Sequence, residues 1–255
     1  MLLMKNSISS VIRRGIAMLN FYERRKEKEA FRLFCSSIKN GERFALNYTD
    51  NWYIKNEKTT VTEFDRHYVY HTGWAARYLQ KTMPQVHTDI SSSLFFCAIA
   101  SAFCKIDFFD YRPAELILDN LSCQKADLTN LFFANNSLQS LSCMHTIEHI
   151  GLGRYGEPFD YDGDIKAIDE LKRVTAPGGN LLIVVPVGGQ SKIVFNAHRI
   201  YHPALLLSYF NGFKLLEFSL IPEFVRDGGI TLNPSEEFVQ TQDYACGCFW
   251  FKKDL

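Results

Sequence analysis

From Gln85 to the C-terminus the chain alternates short apolar runs of strand type with stretches of helical spacing. Val86–Ile90 reads as a short strand and Leu94–Phe103 as a buried helix. Lys105–Asp110 is a strand, residues 122–126 a weaker one, and Leu138–His145 another. Residues 162–175 have helical spacing, with Ile165, Ile168, Leu171 and Val174 on one stripe. Pro177-Gly178-Gly179 stops that helix, and Leu181–Val185 is apolar throughout, as a strand covered on both faces would be. Pro203–Phe210 predicts a helix with proline in its first turn. Phe213–Ile221 and Tyr244–Lys252 are two long final strands.

Alternating strands and helices predict an α/β, Rossmann-like domain. Its sheet should be mostly parallel, with helices on both faces and right-handed crossovers. The two final strands have no helix between them, which fits an antiparallel pair closing the sheet. No internal repeat is present. Residues 1–84 differ and are read as an N-terminal helical extension, with 85–255 as the main domain. Within the extension, residues 21–35 are charge-dense and helical in type, ending in an apolar face of Phe31, Leu33, Phe34 and Ile38. This helix either packs on the main domain or touches a membrane surface or a protein partner. Arg13, Arg14, Arg24, Arg25 and Lys26 favour the second use, and Glu23, Glu27 and Glu29 dilute it. Thr62–Asp65 is a capping signal for a second helix, which passes through Trp74–Leu79 and ends before Pro84.

Composition narrows the function classes. Hydrophobic residues are 47% and charged residues 22% of the 255, the balance of a folded, soluble chain. The formal net charge of +0 gives no reason to expect nucleic acid as a partner. The longest apolar stretch, Leu94–Cys104, falls short of the roughly 20 residues a spanning helix needs. Lys5 interrupts the opening Met-Leu-Leu-Met, and no signal peptide is expected. Seven scattered cysteines, an odd number, suggest reduced thiols and a cytoplasmic location. Cys246-x-Cys248 lacks a second pair or a histidine at metal spacing, so no metal site is expected.

Three stretches resemble the class I S-adenosylmethionine-dependent methyltransferases. Val174-Thr-Ala-Pro-Gly-Gly-Asn-Leu-Leu-Ile-Val-Val-Pro186 is similar to the family's helix, Pro-Gly-Gly turn and fifth strand. Residues 131–149, from Leu131-Phe-Phe to His145-Thr-Ile-Glu-His149, resemble its loop, fourth strand and Glu-His pair. Asp110 ends a strand where the family places an acidic residue for the cofactor ribose, and Asp127 follows the next strand where it has a polar residue near the adenine. More narrowly, His145–Pro158, Asp162-Gly163 and Val194–Tyr201 resemble a poorly characterised methyltransferase-like branch. Its members often accompany polysaccharide-biosynthesis genes. The resemblance covers about residues 62–222. It implies S-adenosylmethionine as cofactor and a small molecule or glycan precursor as acceptor. The chain departs from the family at the loop after the first strand. There Asp89-Ile-Ser-Ser-Ser93 stands where Asp-x-Gly-x-Gly is common.

The candidate residues follow. Asp89, Ser91, Ser93, Asp110, Asp127 and His145 are assigned to the cofactor. His145 and His198 are candidate general bases, since an acceptor hydroxyl must lose a proton near neutral pH; His145 can equally belong to a structural hydrogen-bonding cluster. Glu148, His149, Arg154, Tyr155, Asn196 and Arg199 are assigned to the acceptor, with Gly151–Gly156 as a lid. Arg199 can instead brace its loop. Asp160, Asp162 and Asp164 read as a helix cap and acidic first turn, not a cation site. Two rival functions remain at this level. One is a non-catalytic binding or scaffold protein, motivated by the serine loop. The other is a different sugar-modifying transferase that holds a nucleotide-sugar or phosphorylated ligand through Arg154 or Arg199.

Overall fold

The computed structural model describes Met18 and residues 21–39, 41, 43–55 and 57–255. Arg13 and Arg14 of the expected basic cluster lie outside these residues. The chain forms two compact units, divided between Glu63 and Phe64. In the first, residues 21–36 are helical (α1). Glu23 and Glu27, one turn apart, both face Lys55 at 3.3 and 3.1 Å. Phe31 meets Tyr48 edge-on at 5.2 Å, beside a short 3-10 helix, Tyr48–Asp50.

The second unit begins with α2 (Arg66–Thr82). Asp65 caps it, its carboxylate accepting from the Tyr68 N–H at 3.1 Å. Met83 ends it in the left-handed region, one residue before Pro84. This helix packs on the sheet, so the sheet-bearing unit starts at Phe64, earlier than the Gln85 start that the alternating pattern suggests.

The strands are β1 (Val86–Ile90), β2 (Lys105–Asp110), β3 (Leu121–Lys125), β4 (Leu138–Met144), β5 (Thr175–Val187), β6 (Lys192–Val194), β7 (His198–Ile200), β8 (Phe213–Ile221), β9 (Thr231–Leu232) and β10 (Ala245–Lys253). Eight of them form one sheet in the order β3-β2-β1-β4-β5-β10-β8-β9. The first five in that order are parallel. β10 is antiparallel to both β5 and β8. β6 and β7 form a separate hairpin. The helices are α3 (Leu94–Ala100), α4 (Gly163–Val174), α5 (Pro203–Ser208) and α6 (Glu236–Gln240).

The apolar run in β5 explains itself here. Leu181, Ile183, Val185 and Val187 face the core under α4 and α5, while Leu182 and Val184 face the core under α2 and α3. A strand in mid-sheet must be apolar on both faces. β5 also runs further back than the Leu181 start expected, through the Pro-Gly-Gly turn. Gly178 takes φ +68°. Gly179 does not need that region; its role is space, since a Cβ would lie 2.7 Å from the Ala176 carbonyl oxygen. None of the described helices is long and apolar enough to cross a membrane.

The topology sets the site. The chain runs outward from β1 to β2 and β3, then returns to place β4 on the other side of β1. A crevice opens where the order reverses, above the C-terminal ends of β1 and β4.

Candidate functional site

The turn after β1 solves with serines what glycines usually solve. Ser91 takes φ +57°, the left-handed region. Its N–H donates to the Phe109 carbonyl at 2.7 Å, and its carbonyl accepts from the Thr146 hydroxyl at 2.8 Å. Ser92 Oγ accepts from the Met144 N–H at 3.0 Å. Asp89 lies fully buried beneath the turn. Its carboxylate accepts from the Ser92 N–H at 3.0 Å and from the Ser142 hydroxyl. Burial pushes its pKa up to about 6, against these hydrogen bonds.

A cavity of about 370 Å³ sits above the ends of these strands. Of the expected cofactor residues, Ser91, Asp110, Asp127 and His145 line it. Asp89 and Ser93 do not: the first is buried under the turn, and the second starts α3. Asp110 Oδ1 accepts from the Arg112 N–H at 2.7 Å, and Asp127 Oδ1 accepts from the Thr129 N–H and hydroxyl at 2.9 and 2.7 Å. Each carboxylate keeps its Oδ2 without a partner among the described residues. Arg112, absent from the sequence-based candidates, lies 4.6 Å from the centre of the Tyr155 ring.

A second cavity, about 690 Å³, adjoins the first, and His145 and His149 line both. Its other walls come from His67 and Tyr68 at the start of α2, Glu148 and Arg154 after β4, Asn196 and His198 in the β6–β7 hairpin, and Tyr244 before β10. His145 adopts φ +55° and stacks on His67 and Tyr68 at 5.4 and 5.3 Å. Its Nδ1 meets Glu148 Oε1 at 2.9 Å, and its Nε2 lies 3.4 Å from Cys246 Sγ. Burial lowers the pKa values of His67 and His145 to about 4 and raises that of Glu148 to about 7. His149 Nδ1 donates to the Ala197 carbonyl at 2.6 Å. His198 stacks on Tyr244 at 4.9 Å, and partial burial lowers its pKa. Neither ring nitrogen of His198 has a partner among the described residues.

The acceptor candidates divide. Glu148, His149, Arg154 and Asn196 line the larger cavity, and Tyr155 the smaller. Arg199 enters neither. Its guanidinium turns inward and donates to the Ile150 and Tyr161 carbonyls at 2.7 and 2.8 Å, with Asp164 at 3.4 Å. It braces the 150–161 loop rather than presenting a free fork to a ligand. Asp164 is buried and accepts from the Tyr201 hydroxyl at 2.8 Å, so the acidic run is tied into the fold. Sequence reasoning missed His67, Tyr68 and Tyr244. The one available signal was the His67-x-x-x-His71 spacing on the capped helix.

A family model described as a Caenorhabditis protein of unknown function, DUF268, matches residues 119–223. No curated protein matches the chain. Among solved structures, one similar protein is 1,6-didemethyltoxoflavin-N1-methyltransferase from Burkholderia thailandensis, with bound 1,6-didemethyltoxoflavin and S-adenosylhomocysteine. It is 10% identical, with a TM-score of 0.50 over 72% of this chain and 79% of that one. YcgJ from Bacillus subtilis is 14% identical, with a TM-score of 0.50 over 73% and 99%. A Galdieria sulphuraria protein named for a proposed sarcosine dimethylglycine methyltransferase activity is 16% identical, with a TM-score of 0.51 over 72% and 85%. Identities this low speak to the fold alone. The fold is the Rossmann-like one of the class I S-adenosylmethionine-dependent methyltransferases.

Proposed function

We propose that the protein binds S-adenosylmethionine in the smaller cavity and methylates a hydroxyl-bearing small molecule or glycan precursor in the larger one. The observation that carries this reading is the junction at His145. A cavity with two half-free carboxylates at strand ends opens there onto a larger, histidine-lined cavity.

The residues of the smaller cavity fit the cofactor. Asp110 and Asp127 each offer one uncommitted oxygen to a hydroxyl or amino group of a nucleoside. The turn at Ser91 reaches the left-handed geometry that the sharp bend after β1 needs. S-adenosylmethionine, when bound, supplies an electrophilic methyl group. The remaining tasks belong to the protein. His198 takes the acceptor proton, since its ring is free, whereas both nitrogens of His145 are engaged. Arg154, held by the Ala197 carbonyl at 2.9 Å, attracts a negatively charged acceptor. Seven cysteines without a disulfide support a cytoplasmic location.

The test is calorimetric titration of the full chain with S-adenosylhomocysteine. Micromolar binding is expected, and Asp110→Ala should weaken it about 10- to 100-fold, the value of a hydrogen bond to a charged group. Equal affinity of wild type and variant would remove Asp110 from the site. No binding at millimolar ligand would favour the scaffold reading, with the Ser91 side chain as its physical reason.

A further inference from the structure

At the wall of the larger cavity three metal-binding side chains converge from separate parts of the chain. His67 comes from the first turn of α2, His145 from the end of β4, and Cys246 from β10. One ligand atom from each lies within 4.8 Å of the others. A tetrahedral zinc ion with bonds of about 2.0–2.3 Å holds its ligands roughly 3.3–3.8 Å apart. The Cys246–His145 pair is already at 3.4 Å. A shift of about 1 Å in a side chain would bring the widest pair to zinc spacing.

We propose that His67, His145 and Cys246 form a zinc site whose fourth position opens to the larger cavity. His145 Nδ1 is held by the buried Glu148 carboxylate at 2.9 Å, which turns Nε2 toward Cys246. A carboxylate behind a ligating histidine is the usual support for zinc. His71 packs behind the pair. Its Nδ1 donates to the His67 carbonyl at 2.6 Å, and its ring packs edge-on against His145 at 5.0 Å. Its Nε2 is buried with no partner.

Binding exchanges the Cys246 thiol proton for the ion, leaving a thiolate and two neutral imidazoles as ligands. Cys246 is fully buried, while His67 and His145 line the cavity, so the open side of the ion faces the acceptor volume. Three protein ligands and one open position are the arrangement of catalytic zinc. An acceptor hydroxyl bound there would lose its proton more readily. That role alone rests on the methyltransferase reading; the site does not.

The experiment is titration of chelator-treated full-length protein with cobalt, which takes zinc's place and reports thiolate ligation by a near-ultraviolet charge-transfer band. Competition with zinc then gives affinity. One equivalent is expected, with the band present. Cys246→Ser should abolish the band, and His67→Gln should weaken zinc binding by more than the roughly 10- to 100-fold expected for Glu148→Gln. Cys248→Ser and His198→Ala should keep the band. Far-ultraviolet circular dichroism checks that each variant is folded. A folded wild type without the band overturns the site, as does an unchanged band in Cys246→Ser. S-adenosylhomocysteine titration of the same samples separates the two failures. Cofactor binding without cobalt sinks only the zinc site, and cobalt without cofactor sinks only the methyltransferase reading.

Discussion

Asp89 ties folding stability to pH. Its carboxylate is fully buried, and desolvation outweighs the hydrogen bonds from Ser92 and Ser142, raising its pKa from 3.8 to about 6. A carboxyl with a raised folded-state value binds its proton more tightly folded than unfolded. The stabilisation is therefore complete below about pH 4 and is lost as pH rises to about 6. The shift corresponds to about 3 kcal/mol, as an order of magnitude. Asp89→Asn keeps an acceptor for the Ser92 N–H and removes the titration. Urea unfolding of both proteins from about pH 4 to pH 7 should show wild type losing stability relative to the variant by roughly that amount. Parallel pH profiles would mean that Asp89 titrates at an ordinary value. The residue then acts on the site by shaping the Ser91–Ser93 turn, not by touching a ligand.

At the scale of elements, α2 both closes one face of the sheet and carries His67 and Tyr68 into the larger cavity. Trp74, Ala75, Tyr78 and Leu79 pack with Leu182 and Val184 of β5, and the Trp74 Nε1–H donates to Glu217 at 2.7 Å. Leu79 is fully buried, so Leu79→Ala should cost 2–5 kcal/mol in urea unfolding, with cavity formation setting the value. A cost below about 1 kcal/mol would mean that α2 is not docked in solution. The sequence made the main strands legible because each has a strong local cause. β5 is apolar on both faces, and Phe213–Ile221 has the observed bounds of β8. The β6–β7 hairpin, β9 and α6 were not legible. Strands of two or three residues carry no period, and a five-residue helix depends on its Ser235 cap and its neighbours. The site divides in the same way. Asp110 and Asp127 were singled out by the family resemblance at two strand ends, and both line the smaller cavity. His67, Tyr244 and Cys246 meet only through tertiary packing, and no spacing along the chain records that.

At the scale of the whole molecule, the two cavities make separable demands. The smaller is built by β1–β4 and their loops, while the larger needs α2, the β6–β7 hairpin and the segment before β10. Asp110 and His198 lie in different cavities, and only the wall at His145 and His149 is common to both. Substitutions that share no partner act nearly independently. His198→Ala should therefore leave S-adenosylhomocysteine affinity within about twofold of wild type, whereas Asp110→Ala weakens it about 10- to 100-fold. The double variant should bind like Asp110→Ala alone. Titrations of all three at one pH provide the check. If His198→Ala weakens cofactor binding as much as Asp110→Ala does, the cavities act as one ligand site, and an acceptor volume distinct from the cofactor is wrong. If the effects separate as expected, His198 is free for the acceptor proton. Its substitution should then lower turnover by about 10²- to 10⁴-fold once an acceptor is in hand, with cofactor affinity intact.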